Sequence, residues 1–397
     1  MVASSFSDDD ARKIEDLRAK LARIRLHDGN PDWFGSHESS IRDTVLRAIA
    51  KGPVYQEAVN TLFVCLENLR DHKTYPEWAV VVSEALLVAS TLGNTHLQAR
   101  LYLAYGDFML REGHPKMASR AAEICFEMLS DSSTVDDDER RTRAALLLIC
   151  AQQPLSDRAT TQRLIDQVFR FAEQANKPHL TAHVYQILSH IYLYQGDLDV
   201  AIDYAQRGKD LWTKLNYQLG IIDCLLNQAR VARKQGRFDQ VDFLLNQIQL
   251  DPNSFNGHKQ YVNHMYEMGA LRLETGNLAQ AEATLYQLVE YLKTVDSPRE
   301  LAIARHTLAL SQIAQNHFAE ADENLTSVSK TWSNLRYTYG QADVYVARGY
   351  FERQRGRRFQ AMQWLDEAEK LCGQIENDAL RKQMLDTINI ERSAWDQ

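Results

Sequence analysis

The sequence predicts an all-α protein, a solenoid of antiparallel helix pairs stacked one on the next. Three observations predict it. Glycine (17) and proline (8) are scarce in 397 residues, so few positions can serve the tight turns of a β fold. Apolar residues recur at i, i+3, i+4 and i+7 over segments of about 15–18 residues, the signature of an amphipathic helix. A bend residue followed five positions later by a small apolar residue returns in steps of 40.

Reading from the N-terminus, residues 8–27 form one charged amphipathic helix. "GNPDWFGSHESS" reads as an irregular stretch, and "SSIRDTVLRAIAK" as a second, short helix. Together they make an N-terminal helical segment, residues 1–52. Residues 53–378 follow as an array of about eight helical hairpins, and residues 379–397 as a capping helix with one polar face.

The array rests on its bends. Gly196/Ala201, Gly236/Val241, Gly276/Ala281, Asn316/Ala321 and Gly356/Ala361 step by 40 residues four times in succession. Gly113/Ala118 matches upstream, and Pro154/Ala159 and Thr74/Ala79 match weakly. Seven residues before six of these bends stand Gly106, Ser189, Ala229, Gly269, Ala309 and Gly349, all small. A small side chain there lets the first helix of a hairpin approach the second, and the small residue five after the bend is its complement. "WTKLNYQLG" from Trp212 and "WSNLRYTYG" from Trp332 share W-x-x-L-x-Y-x-x-G three periods apart. Within one unit, "GIIDCLLNQARVARKQ" is the first helix and "FDQVDFLLNQIQL" the second. Ser297 as N-cap, Pro298 at the first helical position and Glu300 completing a capping box mark another boundary. A lone hairpin cannot bury its apolar faces, so its stability must come from its neighbours.

Small residue, bend seven later, small residue five after that: over roughly Pro53–Asn377 this pattern resembles the tetratricopeptide (TPR) repeat. It departs from the family's ~34-residue period and closing proline. The early aromatic survives as Tyr102, Tyr185 and Tyr345, but Leu225, Met265 and Arg305 replace it elsewhere. The match is to long, degenerate TPR variants. The resemblance implies a right-handed superhelical solenoid whose first helices line a partner-binding concavity. The family's groove positions, carried onto this chain, are His183, Gln186, His190 and Tyr194 in one unit and Asp223, Arg230, Arg233 and Lys234 in the next. Asn263, Tyr266 and Glu274 follow, then Asp343, Tyr350 and Arg353. Arg230, Arg233 and Lys234 cluster on one helix. Arginine forks hold carboxylates with paired hydrogen bonds and tyrosine offers a rigid face with a polar tip, so an acidic peptide or acidic partner helix is the expected occupant. Trp212, Trp332 and Trp364 read as packing residues.

A net charge of −8 argues against nucleic-acid binding by direct contact. Five scattered cysteines, odd in number and without a C-x-x-C pair, suit buried thiols in a reducing compartment. The N-terminus carries no signal-peptide pattern, and no apolar run approaches the ~18 residues that span a bilayer. The expectation is a cytoplasmic protein without membrane contact. No phosphate-binding, zinc-protease or nucleophile-elbow motif occurs. His183 and His190 lie seven apart on one helix, too far to share a metal without a third group between them, so neither metal nor cofactor is expected. The acidic runs "SDDD" and "VDDDER" read as solvated helix starts. The functional expectation is a non-enzymatic scaffold or adaptor that binds a peptide or partner segment in its groove. The alternative is a peptide-sensing regulatory receptor whose N-terminal helices contact a second partner.

Overall fold

The computed structural model describes residues 8–69, 77–111, 114–130, 134–152, 158–250, 257–295, 297–375 and 378–395. Among these are twenty α-helices, one turn of 3-10 helix at Gly52–Val54, and no strand. The helices are α1 (Asp8–Arg25), α2 (Pro31–Ser36), α3 (Glu38–Ile49), α4 (Tyr55–Asn68), α5 (Glu77–Thr91), α6 (Thr95–Arg111) and α7 (Pro115–Met128). Next come α8 (Val135–Gln152), α9 (Arg158–Ala175), α10 (Pro178–Gln195), α11 (Leu198–Lys214), α12 (Gln218–Lys234), α13 (Phe238–Leu245) and α14 (His258–Glu274). The chain ends with α15 (Leu278–Thr294), α16 (Pro298–Ala314), α17 (Phe318–Asn334), α18 (Thr338–Gln354), α19 (Arg358–Cys372) and α20 (Asp378–Ser393). Sequence neighbours pack on one another, as α6 on α7, α8 on α9, α16 on α17 and α18 on α19. Two compact units result, one centred on residues up to Gln152 with Arg158–Ile187 and Leu250–Lys259, the other on Leu188–Gln249 with Gln260–Gln397.

In the first unit, residues of the N-terminal segment share a core with the helices that follow. Leu21, Ile24, Phe34, Ile41 and Val45 bury with Val59 and Leu62 of α4 and Trp78 and Val82 of α5. Arg18 bonds Glu57 at 3.1 Å and Arg25 donates to Thr61 Oγ1 at 2.8 Å, so α1 is fastened to α4. The stretch expected to be irregular contains α2. Asn30 Oδ1 accepts from the Trp33 amide as N-cap, proline opens the first turn, and His27 and His37 stack on Trp33 at 3.8 and 4.6 Å.

The acidic run at the start of α8 is not solvated throughout. Asp136 is exposed, but Asp137 is 0 % exposed and held by Thr134, Arg140 and His96, while Asp138 is buried against Arg141. Each of these two buried carboxylates is paired with an arginine one turn on. Cys65, Cys125, Cys224 and Cys372 are buried, and burial pushes the Cys125 and Cys224 thiols up to about 12.

The forty-residue bends have one physical basis. Gly196, Gly236, Gly276, Asn316 and Gly356 all take left-handed backbone, with φ between 64° and 82°. Each ends a first helix, and the amide that follows reaches back five residues: Asp197 to Tyr192 O, Arg237 to Ala232 O, Asn277 to Arg272 O, His317 to Gln312 O and Arg357 to Glu352 O, at 2.8–3.0 Å. This satisfies carbonyls that a helix end would otherwise leave open. Thr74, Gly113 and Pro154 lie outside the described residues. The small positions behave as expected. Ser189, Ala229 and Ala309 are fully buried, as are Ala201, Val241, Ala281, Ala321 and Ala361 after the bends. A methyl group added at Gly106 would sit 2.5 Å from Leu147 Cδ2 and 3.3 Å from Ala121 Cβ.

The W-x-x-L-x-Y-x-x-G echo marks the other bend, between hairpins. Asn216 and Arg336 are left-handed (φ 54° and 52°), and Tyr217 and Tyr337 donate back to Trp212 O and Trp332 O. The Tyr and Trp rings meet at 5.0 and 5.1 Å, the apolar contact that accompanies this cap. The glycine completes the motif. A methyl at Gly220 would lie 2.6 Å from the Trp212 ring. Ala at 220 gains about 0.5–1 kcal/mol of helix propensity but overfills a site bounded by a rigid indole, at about 1–3 kcal/mol. Gly220→Ala therefore lowers the urea midpoint, although a glycine in a helix interior ordinarily marks a site for stabilisation. Arg336 is the opposite case, an exposed non-glycine residue in left-handed backbone with no steric reason to persist. Arg336→Gly raises stability by about 0.5–1 kcal/mol in the same measurement.

Two local expectations fail. The second helix "FDQVDFLLNQIQL" stops at Leu245 after eight residues, where Asn246 caps it and bonds Asp242 at 2.9 Å. Asparagine is a weak helix former, which favours an end at this position. Ser297 does precede α16 with proline in its first turn, but its side chain makes no capping hydrogen bond, so the capping box does not form.

Candidate partner-binding face

The first helices of the second unit, α12, α14, α16 and α18 with the end of α10, carry most of the residues expected to bind. Successive first helices are tied to one another about one repeat apart. Gln260 donates to Asp223 at 3.1 Å. Arg230 donates to Glu267 Oε1 and Asn263 Oδ1, both at 2.8 Å. Arg233 donates to Glu267 Oε2 at 3.0 Å and Glu274 Oε1 at 2.5 Å. The buried Glu267 carboxylate, 2 % exposed, thus bridges two guanidinium groups. Burial works against the charged form of Arg230, but Glu267 outweighs it and holds the group above its ordinary pKa. Arg233 is raised in the same way, by Glu267 and Glu274 against burial.

The forks of Arg230 and Arg233 already hold the chain's own carboxylates. Lys234 is exposed beside them. Neither Glu267 nor Gln260 was among the residues expected from the sequence.

The remaining candidates fall elsewhere. Tyr194 is 67 % exposed at the end of α10, edge-on to His190 at 4.7 Å. Tyr266 is largely enclosed, and burial, the largest influence, pushes its phenol up despite a hydrogen bond with Thr307. Asp343 is 41 % exposed with His306 Nε2 at 3.6 Å. His183 and Gln186 belong to the first unit, where Gln186 is buried and His183 half-buried. Tyr350 and Arg353 meet each other and the last helix. Arg353 lies over Tyr350 at 5.1 Å and donates to both oxygens of Glu391 at 3.0 and 3.4 Å, so α20 takes up this pair. Trp212 and Trp332 are buried, and Trp364 packs beside Tyr345 with Arg348 over its ring.

No helix among the described residues is long and apolar enough to cross a membrane. No family model matches the chain, and no curated protein matches it. Solved structures do. A chain of the APC/C hetero-tetramer Cut9-Hcn1 is similar at 12 % identity and TM-score 0.57, over 89 % of this chain and 60 % of that one. The apo form of the quorum sensor NprR from B. thuringiensis is similar at 12 % identity and TM-score 0.52, over 83 % of this chain and 97 % of that one. At these identities the likeness is one of fold, and with the repeat geometry it defines the class: this is an all-α helical-repeat protein of the TPR type.

Proposed function

We propose that the chain is a non-enzymatic interaction scaffold that holds an extended segment of a protein partner along the first helices of its second unit. One observation carries the reading. Polar side chains from consecutive first helices are locked together by the Asp223–Gln260, Arg230–Asn263, Arg230–Glu267 and Arg233–Glu274 bonds, with exposed tyrosine alongside. Side chains already fixed lose little rotamer freedom when a partner arrives, so each contact made to them contributes more of its strength to affinity.

The test is selection of binding dodecamers from a random peptide display library on the purified chain, followed by hydrogen exchange with the selected peptides. Protection concentrated in α12, α14 and α18 is the expected result. Protection confined to the second helices, or no selectable binder, overturns the reading. A receptor reading draws on the likeness to a quorum sensor over nearly the whole of that chain. It requires a ligand with different affinity for two shapes of the array. A peptide that raises the melting temperature and contracts the protein in small-angle scattering supports it. A folded partner bound without peptide dependence supports the scaffold.

A further inference from the structure

We infer that this face recognises a cation: the ammonium or guanidinium of a lysine or arginine on the partner segment seats beside Tyr337 and Tyr339, against the carboxylate of Asp343. The inference rests on the scaffold reading and names the chemistry of one subsite.

Tyr337 and Tyr339 flank the start of α18 with ring centroids 6.2 Å apart. Asp343 lies one turn beyond Tyr339 on the same helix, and the i, i+4 spacing places the two on one side of it. The carboxylate is 41 % exposed, and the basic group beside it is His306 of α16, whose Nε2 stands 3.6 Å away, beyond hydrogen-bond distance. By contrast the carboxylates of Glu267 and Glu274 are held by arginine. Unlike those two, Asp343 pairs with no arginine or lysine among the described residues.

The rings around it are suited to a cation. One already attracts one: the guanidinium of Arg299 lies over Tyr337 at 5.9 Å, leaving Tyr339 for a guest. Burial is the main cause that pushes the phenols of Tyr337 and Tyr339 up; Asp343 adds to it at both, and Arg299 opposes it at Tyr337. Aromatic faces grouped about a carboxylate attract a partly desolvated cation through ring quadrupole and charge together. A carboxylate on the guest would meet Asp343 as a like charge, which disfavours an acidic occupant.

The dodecamers selected on the wild-type chain test this. The expected result is lysine or arginine at one fixed position, with Asp343→Asn weakening those peptides by about tenfold or more. Alanine at the peptide's basic position should cost nothing further in the Asp343→Asn variant, because the pair is already broken. Asp343→Asn keeps the side chain's shape at a half-exposed site, and an unchanged melting temperature confirms that the fold is intact. Tyr339→Phe, which keeps the ring, should bind as the wild type does, and Tyr339→Leu should not. Peptides that protect α12, α14 and α18 but carry no fixed basic residue, or that bind Asp343→Asn undiminished, overturn the cation subsite and leave the scaffold standing. If no peptide protects this face, both fall.

Discussion

Glu267→Ala destabilises the second unit by about 3 kcal/mol or somewhat more, read as a fall in urea midpoint followed by circular dichroism. Removing one member of a buried ion cluster strands what it neutralised, and the usual cost is about 3–5 kcal/mol. Here Arg230 loses its carboxylate and keeps only Asn263 among its described acceptors, while Arg233 keeps Glu274. The figure sits near the lower bound because the Arg230 and Arg233 side chains keep 19 % and 22 % of their exposure, so water can reach part of each. Glu267→Gln retains the volume and one acceptor oxygen and should cost clearly less. Replacing Glu267, Arg230 and Arg233 together with apolar residues of similar size should cost least, since no charge is then left unpaired. A loss below about 1 kcal/mol for the alanine variant would mean that the cluster behaves as a surface ion pair. Because Arg230 and Arg233 reach from α12 to α14, the variant should also blur the order of the face on which the proposed segment lies.

The bends were legible in the sequence because each depends on one residue's backbone. Left-handed geometry selects glycine or asparagine at Gly196, Gly236, Gly276, Asn316 and Gly356, and the residue type reports the conformation directly. The small positions were legible for a similar reason: closeness of two helices leaves no room at Gly106 or Gly269. The site was legible only in part. Offsets from the bend locate the positions on a first helix but say nothing about which neighbour a side chain reaches. Arg230 and Glu267 lie 37 residues apart, a little under one period, and a search for opposite charges at that spacing would have paired them. His306 occupies the place ten before the Asn316 bend and could be found by the same offsets. Tyr337 and Tyr339 could not, because they precede their helix's groove positions and enter the face only through the packing of α18. Nor did composition separate the buried Asp137 from the exposed Asp136 beside it, since a helix turn of 100° per residue decides which faces the core.

Trp332→Ala should be the most damaging single truncation in the inter-hairpin bends, at about 3–5 kcal/mol. The indole is 4 % exposed, sits in a core with Leu325, Val328, Val344 and Phe351, and closes the bend by meeting Tyr337. Its removal has two separable effects. It leaves a cavity between α17 and α18, and it strips the apolar contact from a cap whose left-handed residue, Arg336, is already unfavourable. Trp332→Phe separates them, since a smaller ring can keep the contact with Tyr337 while giving up volume. Gly340→Ala errs the other way, placing a methyl 2.5 Å from Tyr337 and 2.9 Å from Trp332. If both rings are fixed by the bend, Gly340→Ala destabilises alone but costs little in the Trp332→Ala background, where the cavity can take the methyl group. A strictly additive pair of losses would show that the Trp, Tyr and Gly positions act independently, and the repeated motif would then have no common structural cause. The loss should also be local. In a stacked array each hairpin is stabilised chiefly by its neighbours, so hydrogen exchange should rise in α17–α20 before it rises in α11 and α12.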